Sequence, residues 1–154
     1  MDDRKRVVLP NVELFERIKE LVSEGHQVKF RVKGDSMNPF LIGSRDEAVV
    51  SPFTKEDIVP GTVILAKDKT GRIILHRVIR VNDTEIEMMG DGNCLGTEMT
   101  DLEHVAGVIT EVVRNGRLVS CRGRGWRMAS YLWGIFRPVR RWTLAFWRRI
   151  LRKI

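Results

Sequence analysis

The chain lacks most of what would place it in several common classes. Two cysteines among 154 residues cannot build a disulfide framework. Cys94 and Cys121, with His26, His76 and His104, fall at irregular spacings that match no metal-ligand pattern. No metal and no cofactor are therefore expected. The first ten residues open on Asp2 and Asp3, continue through Arg4-Lys5-Arg6 and are followed by no long apolar core. A secretory leader is not expected, and a reducing, cytoplasmic setting is the simplest inference. No internal repeat is found. At this length one ordinary domain can bury a core without staples.

Acidic residues are missing from the end of the chain. The net charge of +7 divides unevenly: residues 122–154 carry 10 Lys/Arg and no Asp or Glu, whereas residues 1–121 carry 17 Lys/Arg against 20 acids. All four tryptophans (Trp126, Trp133, Trp142, Trp147) lie in the same last segment. Composition thus predicts a mildly acidic body over 1–121 and a basic, aromatic tail over 122–154.

Within the body, Asn11 can cap a helix in which Val12, Leu14, Phe15, Ile18, Leu21 and Val22 recur at helical spacing until Gly25. From His26 the period becomes two, with Val28, Phe30 and Val32 alternating with Lys29, Arg31 and Lys33. Short strands are predicted over 48–50, 62–66, 73–81, 84–89 and 106–113, with a helical turn near Asp101 to His104. Asn115-Gly116 marks a hairpin before Leu118-Val119. The expected fold is mainly β (α+β): a compact β body, one N-terminal helix and a helical tail.

Two stretches carry chemistry. Lys33-Gly34-Asp35-Ser36-Met37-Asn38-Pro39 sets a serine on a tight turn bounded by glycine and proline. Leu75-His76-Arg77-Val78-Ile79 sets a histidine in an apolar strand, on the same strand face as Ile74 and Val78. A serine hydroxyl is a weak nucleophile until a base takes its proton, and imidazole is suited to that near neutral pH. Alone, Ser36 reads as a surface turn and His76 as a hydrogen-bonded core residue. The pair points to a hydrolytic centre.

These motifs, followed by Met89-Gly90-Asp91-Gly92-Asn93, resemble the serine-peptidase superfamily of type I signal peptidases and LexA-like autopeptidases over roughly residues 28–113. The histidine is similar to that of the archaeal and endoplasmic-reticulum branch. The resemblance implies Ser36 as nucleophile and His76 as general base. Backbone N–H groups around Gly34, Asp35, Ser36 and Met37 would support the loop and the oxyanion. Asp91 is the candidate to orient the imidazole, its bland alternative being an Asp-Gly turn. That branch carries a further acid six residues on, which here is Thr97, with Glu98 beside it. Asp91, Glu98 or no acid at all stay open for the third role, and Lys67 or Lys69 is the alternative base. Asp35 is expected to brace the loop, and Cys94 to be a small buried hydrophobe.

By that resemblance the partner is an extended peptide or precursor protein paired with a strand edge beside Ser36. Cleavage of a leader inside the cell is the expected activity. The rival is a catalytically inactive peptide-binding or accessory module of the same fold. A DNA-reading domain before the β body is not expected.

In the tail, Pro138 divides two helical stretches, and no uncharged run exceeds nine residues (Met128 to Phe136), too short to span a bilayer. On a helical wheel Val139, Trp142, Phe146, Trp147, Ile150 and Ile154 gather on one side. Arg141, Arg148, Arg149 and Arg152 gather on the other, while Arg140 and Lys153 blur the border. Residues 126–154 are expected to lie on an anionic membrane surface, peripherally on the inner face of the cell membrane. Packing on the protein's own body is the alternative. Nucleic acid is disfavoured, since no base-stacking module is recognisable.

Overall fold

Periodicity explains the first element. The computed structural model describes residues 11–152, and α1 spans Asn11–Ser23. Phe15, Ile18 and Val22, spaced three and four apart, are buried against the sheet. Each contributes about 1.5–3 kcal/mol by burial. Val12 and Leu14 stay exposed, so the apolar stripe is narrower than the sequence suggested. Gly25 ends the helix at φ 95°, where its N–H reaches the Val22 carbonyl and that of His26 reaches Leu21.

Eight strands follow: β1 (Val28–Arg31), β2 (Asp46–Ser51), β3 (Val63–Lys67), β4 (Ile73–Asn82), β5 (Glu85–Met89), β6 (Glu98–Asp101), β7 (Val105–Arg114) and β8 (Arg117–Ser120). All pair antiparallel in the order β1-β2-β7-β3-β4-β5-β6, with β8 added to β7 through the Asn115-Gly116 hairpin. The protein is thus mainly antiparallel β with flanking helices. Alternation sends Val63 and Leu65 to a core shared with α1, and Ile64 and Ala66 to a second core with Val78, Ile86 and Met88.

β6 was not foreseen. Its four residues, Glu98-Met99-Thr100-Asp101, carry no β-branched run, and pairing with β5 makes them a strand. The helical turn expected near Asp101 is a short 3-10 turn, Leu102–His104, in which the Asp101 side chain accepts from the His104 N–H.

The tail forms α2 (Arg124–Ile135) and α3 (Arg140–Leu151), joined by a short turn containing Pro138. Among the described residues no helix is long and apolar enough to cross a membrane. The leader expectation falls on residues 1–10, and the wheel positions of Lys153 and Ile154 on the last two; both lie outside the described residues.

Asp46 holds the far end of the Ser36 loop. Fully buried, it accepts hydrogen bonds from Arg45, Arg114 and the Ile42 N–H. Arg114 in turn donates to the Phe40 carbonyl at 2.6 Å. Burial alone would raise the carboxyl pKa, but the bonds from Arg45, Arg114 and Ile42 outweigh it and lower it from 3.8 to about 2. The folded state therefore prefers the ionised form. Its stabilisation is complete above the unfolded value and is lost as pH falls through 3.8 toward 2. Asp46→Asn is expected to lower unfolding stability by about 1.5–3 kcal/mol near neutral pH, since it removes charge-assisted bonds to two arginines that stay about one-third exposed. It should also flatten the acid limb of the stability curve. Urea titrations across that window check both, and an unchanged acid limb would contradict the assignment.

Candidate functional site

The Ser36 loop leaves β1 and is pinned on both sides. Met37 is buried in the core, and its neighbour Ser36 is half-buried. Gly34 takes φ 80° and lies against Gly43. Asp35 accepts from the Asn38 backbone at 3.1 Å and from its side-chain amide at 3.3 Å, the bracing role expected of it. Among the described residues no hydrogen bond uses the N–H of Ser36 or Met37.

His76 is carried by β4, and its ring reaches the same point from the other side. The meeting place is Gly90. A Cβ built there would lie 2.3 Å from the Ser36 carbonyl oxygen and 3.0 Å from His76 Nε2. Only a residue without a side chain lets the two approach this closely. The Gly92 N–H then donates to the Ser36 carbonyl at 2.8 Å, tying the Gly90–Asn93 turn to the serine loop. Among the described residues Ser36 Oγ makes no hydrogen bond, with His76 or any other group.

The carboxylate on the imidazole is Glu98. His76 Nδ1 lies 2.9 Å from Glu98 Oε2, with both side chains largely buried. Asp91, the sequence candidate for this contact, is elsewhere: both its oxygens are taken by Arg77, at 2.8 Å and 2.6 Å. The reason is strand parity. Arg77 points to the opposite face of β4 from His76, and a buried guanidinium fork matches a buried carboxylate in a two-bond pair. Arg77 also donates to the Gly61 carbonyl and Ser130 Oγ and stacks on Phe40. Asp91 therefore belongs to an ion pair beneath the site.

The lysines considered as bases are committed to other partners, Lys67 to Glu16 and Lys69 to Glu85. Cys94 was expected to be buried but is exposed, because the turn from Asn93 to Gly96 runs over the surface with Leu95 outermost. Cys121 is the secluded thiol, pushed up to about 12 by burial. It helps line a cleft of about 810 Å³ between α2 and the turn at residues 56–62, floored by Arg77 and Asp91. Among the described residues no cluster of three or more His, Cys, Asp or Glu side chains is placed to hold a metal ion.

The tail covers this underside with an unusual division of faces. Trp126, Ser130, Trp133, Arg140, Leu144 and Trp147 turn inward at alternating spacings of four, three, seven, four and three. Tyr131, Ile135, Val139, Trp142, Phe146 and Ile150 remain exposed, with Trp142 at 66% and Phe146 at 67%. The tail is thus bound to its own body on one face and apolar on the outside. Trp147, grouped by the wheel with Trp142, belongs to the inner row.

No protein-family profile matches the chain, and no curated protein matches it in sequence.

Proposed function

We propose that this protein is a serine endopeptidase in which Ser36 is the nucleophile, His76 the general base and Glu98 the residue that orients it. One observation carries the reading: the Ser36 backbone and His76 Nε2 crowd the same point at Gly90, while His76 Nδ1 rests on a carboxylate. With Nδ1–H donated to Glu98, the lone pair on Nε2 is free to take a proton. Ser36 Oγ bonds to the scissile carbonyl carbon as its proton passes to Nε2. The resulting oxyanion is met by the free N–H groups of Ser36 and Met37. His76 then gives the proton to the leaving amine, and water, deprotonated by the same nitrogen, releases the acyl group.

The substrate is an extended peptide. β1 pairs with β2 alone among the described strands and runs directly into the Ser36 loop, so its second edge is open to main-chain pairing. The motif resemblance to histidine-type signal peptidases favours a leader or precursor with small residues at the cut. The exposed apolar row of the tail, flanked by Arg141, Arg148 and Arg149, supports peripheral attachment to an anionic membrane, where aromatics settle at headgroup level. A phosphodiester backbone would leave that apolar row in water.

The rival reading is an inactive peptide-binding module, favoured by the missing Ser36 Oγ hydrogen bond. A serine-directed fluorophosphonate separates the two. Wild-type protein is expected to be labelled and Ser36→Ala spared; unlabelled wild type in the presence of lipid would favour the binding module.

A further inference from the structure

The inner face of the tail meets both loops that build the candidate site. Trp133 Nε1–H donates to the Asp91 carbonyl at 3.0 Å, inside the Gly90–Asn93 turn. The ring of the same residue stands edge-on to Phe40, at 6.1 Å between centroids and 68°, at the end of the Ser36 loop. Trp126 adds a second edge contact to Phe40 at 5.3 Å. Arg140, which is buried, lies over the Trp133 ring, donates to the Trp133 carbonyl and reaches the Asn93 carbonyl at 3.4 Å. One indole thus touches the serine loop through its π-edge and the turn beside His76 through its N–H.

We propose that Trp133 is a positioning residue of the Ser36–His76 centre, making the tail a working part of the site as well as its attachment. This rests on the peptidase reading given above. The separation of the two loops decides how Ser36 faces Nε2. Within the body, the Gly92 N–H to Ser36 carbonyl bond links the loops at their tips, while Trp133 spans them from beneath. Without it the Asp91 carbonyl loses its donor and Phe40 loses an aromatic wall, so the tips are free to separate. A displacement near 1 Å at a reacting pair can cost about 100-fold in rate.

The test uses the full chain and three variants, Trp133→Phe, Trp133→Leu and, as an exposed control on β8, Leu118→Ala. Trp133→Phe keeps an aromatic ring beside Phe40 and removes the N–H together with the pyrrole part of the indole. Labelling of Ser36 by the fluorophosphonate, per folded molecule, is expected to slow about 10-fold in Trp133→Phe and about 100-fold in Trp133→Leu. Leu118→Ala is expected to match wild type. Hydrogen exchange at the Gly92 amide gives a second readout that needs no chemistry. Its protection is expected to fall about 10-fold in Trp133→Phe while the β3 amides keep theirs. Wild-type labelling rates and unchanged Gly92 protection in Trp133→Phe would overturn the proposal even if Trp133→Leu failed to fold. Unlabelled wild type would end the peptidase reading, and Gly92 exchange would still decide whether Trp133 holds the loops.

Discussion

Glu98→Gln is expected to lower the rate of peptide cleavage on the order of 10³–10⁴-fold while leaving the fold intact. In the proposed reaction the carboxylate does two things for the imidazole: it keeps the proton on Nδ1, leaving the Nε2 lone pair free, and it stabilises the imidazolium that would form as Ser36 attacks. An amide of the same shape can offer its NH2 to Nδ1 instead, selecting the tautomer with the proton on Nε2. Asp91→Asn is expected to behave oppositely. It leaves the guanidinium of Arg77 short of a buried countercharge, so the loss falls on stability, at about 3–5 kcal/mol. Steady-state rates and urea titrations on both variants check the pair. If Asp91→Asn abolished cleavage in a fully folded protein while Glu98→Gln cleaved normally, the assignment of the orienting acid would be wrong.

Full-length protein is expected to float with anionic vesicles, and Trp142→Glu combined with Phe146→Glu to weaken that binding by at least about 100-fold. Both side chains are two-thirds exposed on the outer row, and transferring an aromatic of this size out of water is worth about 1.5–3 kcal/mol. Scaled to that exposure the two together give about 2–4 kcal/mol, and the added charge carries the loss past 100-fold. Replacing Arg148 and Arg149 by glutamine is expected to cost about 1 kcal/mol each, with a dependence on salt that the aromatic pair does not share. Trp126 and Trp133 face the body, so their replacement should change flotation little. Equal flotation of wild type and the double glutamate variant would remove the membrane from the account.

The two opposed faces of the tail show where one-dimensional reading runs out. On the wheel, Trp142 and Trp147 share a side, and both are apolar enough for either environment. What separates them is the partner available within the fold. The inner row meets a surface made by Phe40, the Arg77–Asp91 pair and the Asp91 carbonyl, assembled from loops 40 and 90 residues along the chain. No local pattern could announce it. Similarly, β6 was invisible because four residues with a single apolar member make no period, and with β6 unseen Glu98 had no strand to carry it toward His76.

Local chemistry was enough for α1, for most strands, and for placing Ser36 on a turn and His76 on a strand. Helical spacing ends at a residue that tolerates left-handed backbone, alternation marks half-buried strands, and a serine between glycine and proline stands on a turn whatever surrounds it. Those features depend on neighbours within a few positions, so they can be read in order. Which carboxylate reaches the imidazole could not be read that way. Asp91 and Glu98 are close in sequence, and the choice between them fell to the sheet: Arg77, on the reverse face of β4, claimed one, and β5–β6 pairing delivered the other. Long-range register and burial of charge settle such contests, because an unpaired ion inside a protein costs more than any local preference returns.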